Sequence, residues 1–186
     1  PIMPDGYYDR SNPEKHYVQH LFRADKGLQG AELNEIQNLA AHQIQGIADA
    51  LLSDGYILSG SVCSIDLDAG TATLNAGTIY LRGRAHNVDR TVVNPPMTGT
   101  ILIGVYYNET VVTELEDPSL RDPAVGTRNY QEPGAARLQA NVTWGIPGDG
   151  SDGYFYPIHT LIDGSLVVKA PPPQLDSVTT ALARYD

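Results

Sequence analysis

The hydrophobic period of this chain changes once, near residue 55, and that change constrains the fold more than any other feature. Residues 31–52 contain no proline and one glycine, Gly46. Leu33, Ile36, Ala40, Ile44, Ile47 and Leu51 recur at steps of three and four residues, which places them on one face of an α-helix. Leu33, Ala40 and Ile47 are seven apart, so the seam approximates about three heptads and predicts an oligomerisation segment. Glu32 and Glu35 sit near the helix start, where the macrodipole favours negative charge. Ser53-Asp54-Gly55 supplies the stop. From Tyr56 onward the period is two. Val62, Ile65 and Leu67, a break at Asp68-Ala69-Gly70, and then Thr71 to Leu74 predict a hairpin. Residues 78–84, 90–93 and 100–107 read as further strands, the last the most apolar and therefore central. Asn108-Glu109-Thr110 predicts a turn into residues 111–115. Leu138, Ala140, Val142 and Trp144 alternate, and residues 154–161 and 165–169 complete the series. Strands this short and this regular predict a small antiparallel sandwich or barrel.

The flanks lack either period. Residues 1–30 read as an extended arm, with Tyr7-Tyr8-Asp9-Arg10 followed by Asn12-Pro13 and a short helix over 14–22. Residues 116–136 carry three prolines and almost no large aliphatic side chain, a composition that predicts a long loop lying against a partner. Pro171-Pro172-Pro173 is a stiff spacer. Beyond it Leu175, Val178, Leu182 and Tyr185 share a helical face, so a second helix starts at the C-terminus, as in the N-terminal piece of a longer polypeptide. The expected fold class is α+β: an arm (1–30), one long helix (31–55), a mainly antiparallel β domain (56–170), and a spacer with a further helical element (171–186).

Charge and cysteine content exclude several functions. Twelve basic residues face 22 acidic ones, for a net charge of −10. Phosphate backbones reward clustered Lys and Arg, so nucleic acid and anionic membrane surfaces are disfavoured as partners. A single cysteine, Cys63, excludes an internal disulfide and any zinc site built on cysteines. No apolar run of membrane-spanning length is present, so no membrane insertion is expected.

No constellation nominates catalysis or a cofactor. His16 and His20 are four apart, the spacing of two ligands on one helical face, but no third ligand is evident. Ser59-Gly60-Ser61 lacks the strand-to-helix elbow of a serine nucleophile. Asp66 and Asp68 read as a solvated hairpin end. Asp149-Gly150-Ser151-Asp152-Gly153 resembles part of a calcium loop without its closing glutamate. Eleven tyrosines against two phenylalanines suit interfaces and half-exposed surfaces.

The run from Phe22 through Arg23, Leu28-Gln29 and Glu32-Leu33-Asn34-Glu35-Ile36-Gln37 resembles the N-terminal signature of a family of tailed-phage and prophage virion proteins catalogued as a domain of unknown function. The similarity extends across Thr110 to Pro118 and Gly126 to Gly134, so it covers most of residues 7–145. Asp25 stands where relatives carry glycine, with Gly27 two places later. The resemblance implies a non-enzymatic structural protein of the virion tail, made in the host cytoplasm, attaching a tail fibre to the tail or baseplate by its N-terminal region. It implies contact with other tail or baseplate proteins, for which Tyr7, Tyr8, Arg10, Arg128 and Tyr130 are the candidates, and a homotrimer joined through the helix seam. The alternatives are a host-glycan-binding module, with Trp144, Tyr154 and Tyr156 stacking on sugars, and a cell-surface polysaccharide hydrolase.

Overall fold

The most apolar run does become the central strand. The computed structural model describes residues 3–167. Strand β7 (Thr100–Val112) pairs antiparallel with β8 (Arg137–Gly145) on one side and β9 (Tyr154–Ile162) on the other, and β10 (Ser165–Val167) extends the sheet beyond β9. Alternation along β7 turns Ile103, Val105 and Tyr107 into the core, where Val142, Trp144, Ile158 and Leu161 from the neighbouring strands meet them. The β7–β9 register slips between Ile103 and Gly104, where β9 carries one extra residue, Ile158.

Two three-stranded sheets close the rest of that core. The predicted hairpin forms as β2 (Cys63–Asp66) and β3 (Thr71–Leu74), in register from Cys63 with Leu74 to Asp66 with Thr71, and β6 (Thr91–Val93) pairs with β3. Asp66 closes its turn by accepting from the Ala69 amide at 2.9 Å. The second small sheet has the order β1 (Tyr56–Gly60), β4 (Gly77–Leu81), β5 (Arg84–Val88). Leu74, Ile79, Leu81, Ile103, Val105 and Leu161 are wholly buried, and one apolar cluster draws on all three sheets.

Several expectations are corrected. The fold class is not α+β with a sandwich or barrel. The described residues form ten strands in three antiparallel sheets and a single α-helix, so the protein is mainly β. The second helix, with its proline spacer, falls outside the described residues. Residues 78–84 are not one strand: Arg82 and Gly83 both take left-handed conformations (φ 50° and 79°) and fold the chain into the β4–β5 hairpin. Conversely, Asn108-Glu109-Thr110 does not turn, because pairing with Asn141, Ala140 and Gln139 holds these residues extended within β7. The predicted helix over 14–22 is only a 3-10 turn, Pro13–Lys15, stopped by His16 at φ 55°. His16 and His20 therefore do not share a helical face. The loop 116–136 is not wholly irregular; it contains a 3-10 turn (Pro118–Leu120) and folds back on itself through a bridge between Arg121 and Pro133.

Helix α1 spans Gly30–Asp49, with the Glu32 carboxylate accepting from the Gln29 amide at 2.8 Å across its first turn. The helix ends before Leu51, which lies in the turn that follows, and the chain reaches β1 through Gly55 at φ 89°.

Candidate functional site

The apolar seam of α1 faces away from its own chain. No residue of this 20-residue helix is buried. Its half-buried side is made of small and polar residues, among them Ala31, Asn34, Glu35, Asn38, Ala41, Gln45 and Ala48. Leu33, Ile36, Ala40, Ile44 and Ile47 line the opposite side, with Leu51 just past its end, and all six are exposed; Ile44 and Ile47 expose 62% and 70% of their surface. An ordinary surface helix places these faces the other way round.

The inner side is held by polar contacts to two different parts of the chain. At its C-terminal end the Tyr80 hydroxyl of β4 donates to Asp49 at 2.6 Å, which pushes the phenol up to about 12. One turn earlier Gln45 lies over Gly83, where a Cβ would strike its side chain. At the N-terminal end the arm supplies the partners. Asn34 Nδ2 donates to the Tyr8 carbonyl (2.9 Å) and Asn38 Nδ2 to the Asp9 carboxylate (2.5 Å). Arg10 Nε donates to Glu35 Oε1 at 2.6 Å, and the other Glu35 oxygen meets His20 Nε2 at 3.2 Å. Tyr7, with Met3 and Pro4, lines a groove of about 400 Å³ between arm, helix and the Arg84, Val111 and Leu138 side of the β body.

The arm thus lies on the helix without a core of its own, and none of its described residues is buried. Tyr17, Val18, Leu21, Phe22 and Leu28 remain exposed along it. Glu35 is the centre of the attachment, only 13% exposed. The bond from Arg10, helped by His20, holds its carboxyl below the ordinary value of 4.5 despite partial burial. Because the folded value is depressed, the contribution is complete above 4.5 and is lost as pH falls through the folded value. Arg10 is more than half exposed, so solvent screens the pair and the effect is modest. Protection of the arm's amides, after correction for the intrinsic pH dependence of exchange, should fall several-fold as pH drops below 4.5 in the native chain. In Glu35→Gln the arm should be equally loose at neutral pH and lose that pH dependence.

Of the other candidate contacts, Arg128 and Tyr130 sit in the exposed loop 116–136. No hydrogen bond or ion pair among the described residues links them to Tyr7, Tyr8 or Arg10. The arm is therefore brought to the inner, polar side of α1, with the seam on the opposite side, and the loop pair meets neither. The structure adds Asn34, Glu35, Asn38 and His20 to the site, and Asn34 and Glu35 lie inside the Glu32 to Gln37 run that carries the family resemblance.

The tyrosine excess divides between core and surface. Tyr80, Tyr106 and Tyr107 are buried, and each hydroxyl finds an acceptor: Asp49, the Ile146 carbonyl at 2.9 Å, and Glu109 at 2.5 Å. The guanidinium of Arg82 stands 4.5 Å from the Tyr107 ring and 4.6 Å from the Tyr154 ring, and its Nε donates to the Tyr156 hydroxyl at 2.7 Å. Trp144 is only 5% exposed, so of the three aromatics expected to stack on sugars it is withdrawn into the core and Tyr156 is engaged with Arg82. Ser61 is wholly buried. The Asp149 carboxylate accepts from the amides of Ile146 and Ser151, so it is occupied by its own loop.

These features define a β-structured module whose N-terminal arm and helix present an unpartnered apolar face. The chain belongs to the family described as Domain of unknown function (DUF4815), whose model matches residues 6–186. No curated protein matches it. Among solved structures it is similar, at 11% identity and a TM-score of 0.41, to a chain of the TssK-TssF-TssG baseplate subcomplex of a type VI secretion system, covering 80% of this chain and 58% of that one. A chain of the baseplate complex from the type VI secretion system is similar at 11% identity and a TM-score of 0.38, with 77% and 38% covered. The chain thus spans little more than half the length of the first of these neighbours.

Proposed function

We propose that this protein is a non-enzymatic structural component of a phage tail, attaching a tail fibre to the tail or baseplate through its N-terminal arm and helix. The observation that carries the reading is the orientation of α1, which leaves Leu33, Ile36, Ile44 and Ile47 in solvent while its polar side meets the chain. A contiguous exposed apolar face of this kind marks a surface that is covered in the assembled state. The arm fits the same role, since a segment held only by polar contacts can be re-ordered on a partner at little cost in core packing. The resemblance of its motifs to tailed-phage virion proteins supports a tail as that assembly. Tyr7, Tyr8 and Arg10 on the arm, and Arg128 and Tyr130 on the exposed loop, are the contacts to neighbouring tail proteins.

The test is to locate the chain in purified tail particles by labelling and electron microscopy. The label is expected at the baseplate end. Removing residues 3–29 should lower incorporation on the order of tenfold, the effect of losing about 1.4 kcal/mol of binding, while the circular-dichroism spectrum of the β body is unchanged. Particles that lack the chain altogether would overturn the reading.

A further inference from the structure

We infer that the outer face of α1 is covered by the same face of further copies of this chain. The inference rests on the structural role proposed above and names the partner of its surface. The first observation is the repeat. From Leu33 to Leu51 the steps are three, four, four, three and four residues, so the set Leu33, Ile36, Ala40 recurs eleven positions later as Ile44, Ile47 and, just past the helix end, Leu51. Eleven residues over three turns is 3.67 per turn, close to the pitch of a straight helix. The heptad reading is thereby replaced: the apolar row stays in line along the whole of α1 and needs little supercoiling to meet an identical row. Ala40, midway along, lets two backbones approach closely.

The second observation is charge. A chain carrying −10 repels its own copies across most of its surface. The helix has no Lys or Arg and three carboxylates. Glu35 is turned inward to Arg10 and His20, Asp49 is turned inward to Tyr80, and Glu32 closes the first turn on the Gln29 amide. The exposed residues bordering the apolar row, Gln37, Gln43 and Ala50, are neutral. Two copies can therefore meet here without opposing carboxylates, and the amides can pair across the seam. A foreign partner of complementary charge would find nothing on this face to recognise.

The test is the mass of the purified full chain by light scattering, with an Ile44→Lys/Ile47→Lys double variant beside it. Both positions are exposed, so the double variant keeps the β-rich circular-dichroism spectrum. The native chain is expected at a small whole multiple of 20.1 kDa and the double variant at 20.1 kDa. Ala40→Cys should form an interchain disulfide under mild oxidation, since Cα atoms of facing copies then lie within about 7 Å; Cys63 is buried and does not compete. A native chain that stays monomeric overturns the inference and assigns the face to a different occupant, whether a tail protein or residues 168–186. So does an oligomer that survives the double substitution or fails to cross-link at residue 40. A monomer that still enters tail particles removes the self-pairing and leaves the structural role standing; an oligomer absent from particles does the reverse.

Discussion

Gly104→Val is expected to remove a large part of the chain's stability. Gly104 sits in the middle of β7, where the register with β9 slips, and its Cα faces backbone rather than side chain. A Cβ there would collide with the Tyr156 carbonyl oxygen and come within 2.8 Å of the Phe155 ring. A flexible side chain could step aside, but the carbonyl belongs to the central strand pairing and cannot move without opening it. Overpacking against fixed backbone costs about 3 kcal/mol or more, a large share of the roughly 5–15 kcal/mol that holds a domain of this size. Gly104→Ala should show the same effect in milder form. Circular dichroism and urea unfolding read both; a native-like valine variant would mean that the β7–β9 irregularity relaxes freely.

Ile103→Ala and Ile47→Ala should differ in cost although the chemistry removed is identical. Ile103 is wholly buried between the sheets, so truncation leaves a cavity and should cost about 2–5 kcal/mol. Ile47 stands on the outer face of α1, and its truncation should change the stability of a single chain by no more than about 0.5 kcal/mol. Urea midpoints at low protein concentration measure both. A destabilisation at Ile47 that grows with protein concentration would locate its burial between chains.

The contrast between these two isoleucines shows what periodicity can and cannot tell. Both belong to unmistakable patterns, one of period two and one of 3.6, and both patterns were legible. So were the β2–β3 hairpin, the central position of β7 and the existence of α1, because each depends on local spacing and on turn residues within a few positions. The 78–84 stretch was misread because Arg82 takes a left-handed conformation that only a glycine there would have advertised. The turn expected at Asn108-Glu109-Thr110 was misread because nine paired residues of β8 outweigh the local preference of three. The Arg10–Glu35–His20 attachment joins residues 10 to 25 positions apart, and no local signal couples them.

By itself, the sequence determined that a helix is followed by a strand-rich region, that β2 and β3 form a hairpin, and that the helix has one apolar side. An apolar row records only that a face is to be shielded from water, since burial is non-directional. Which way that face points is decided by the tertiary structure. The three sheets complete their core with Leu74, Ile79, Ile103 and Leu161, and no residue of α1 enters it. The polar side of the helix, through Glu35, Asn38 and Asp49, is what the arm and Tyr80 hold. With its own core already closed, the chain turns its second apolar surface outward.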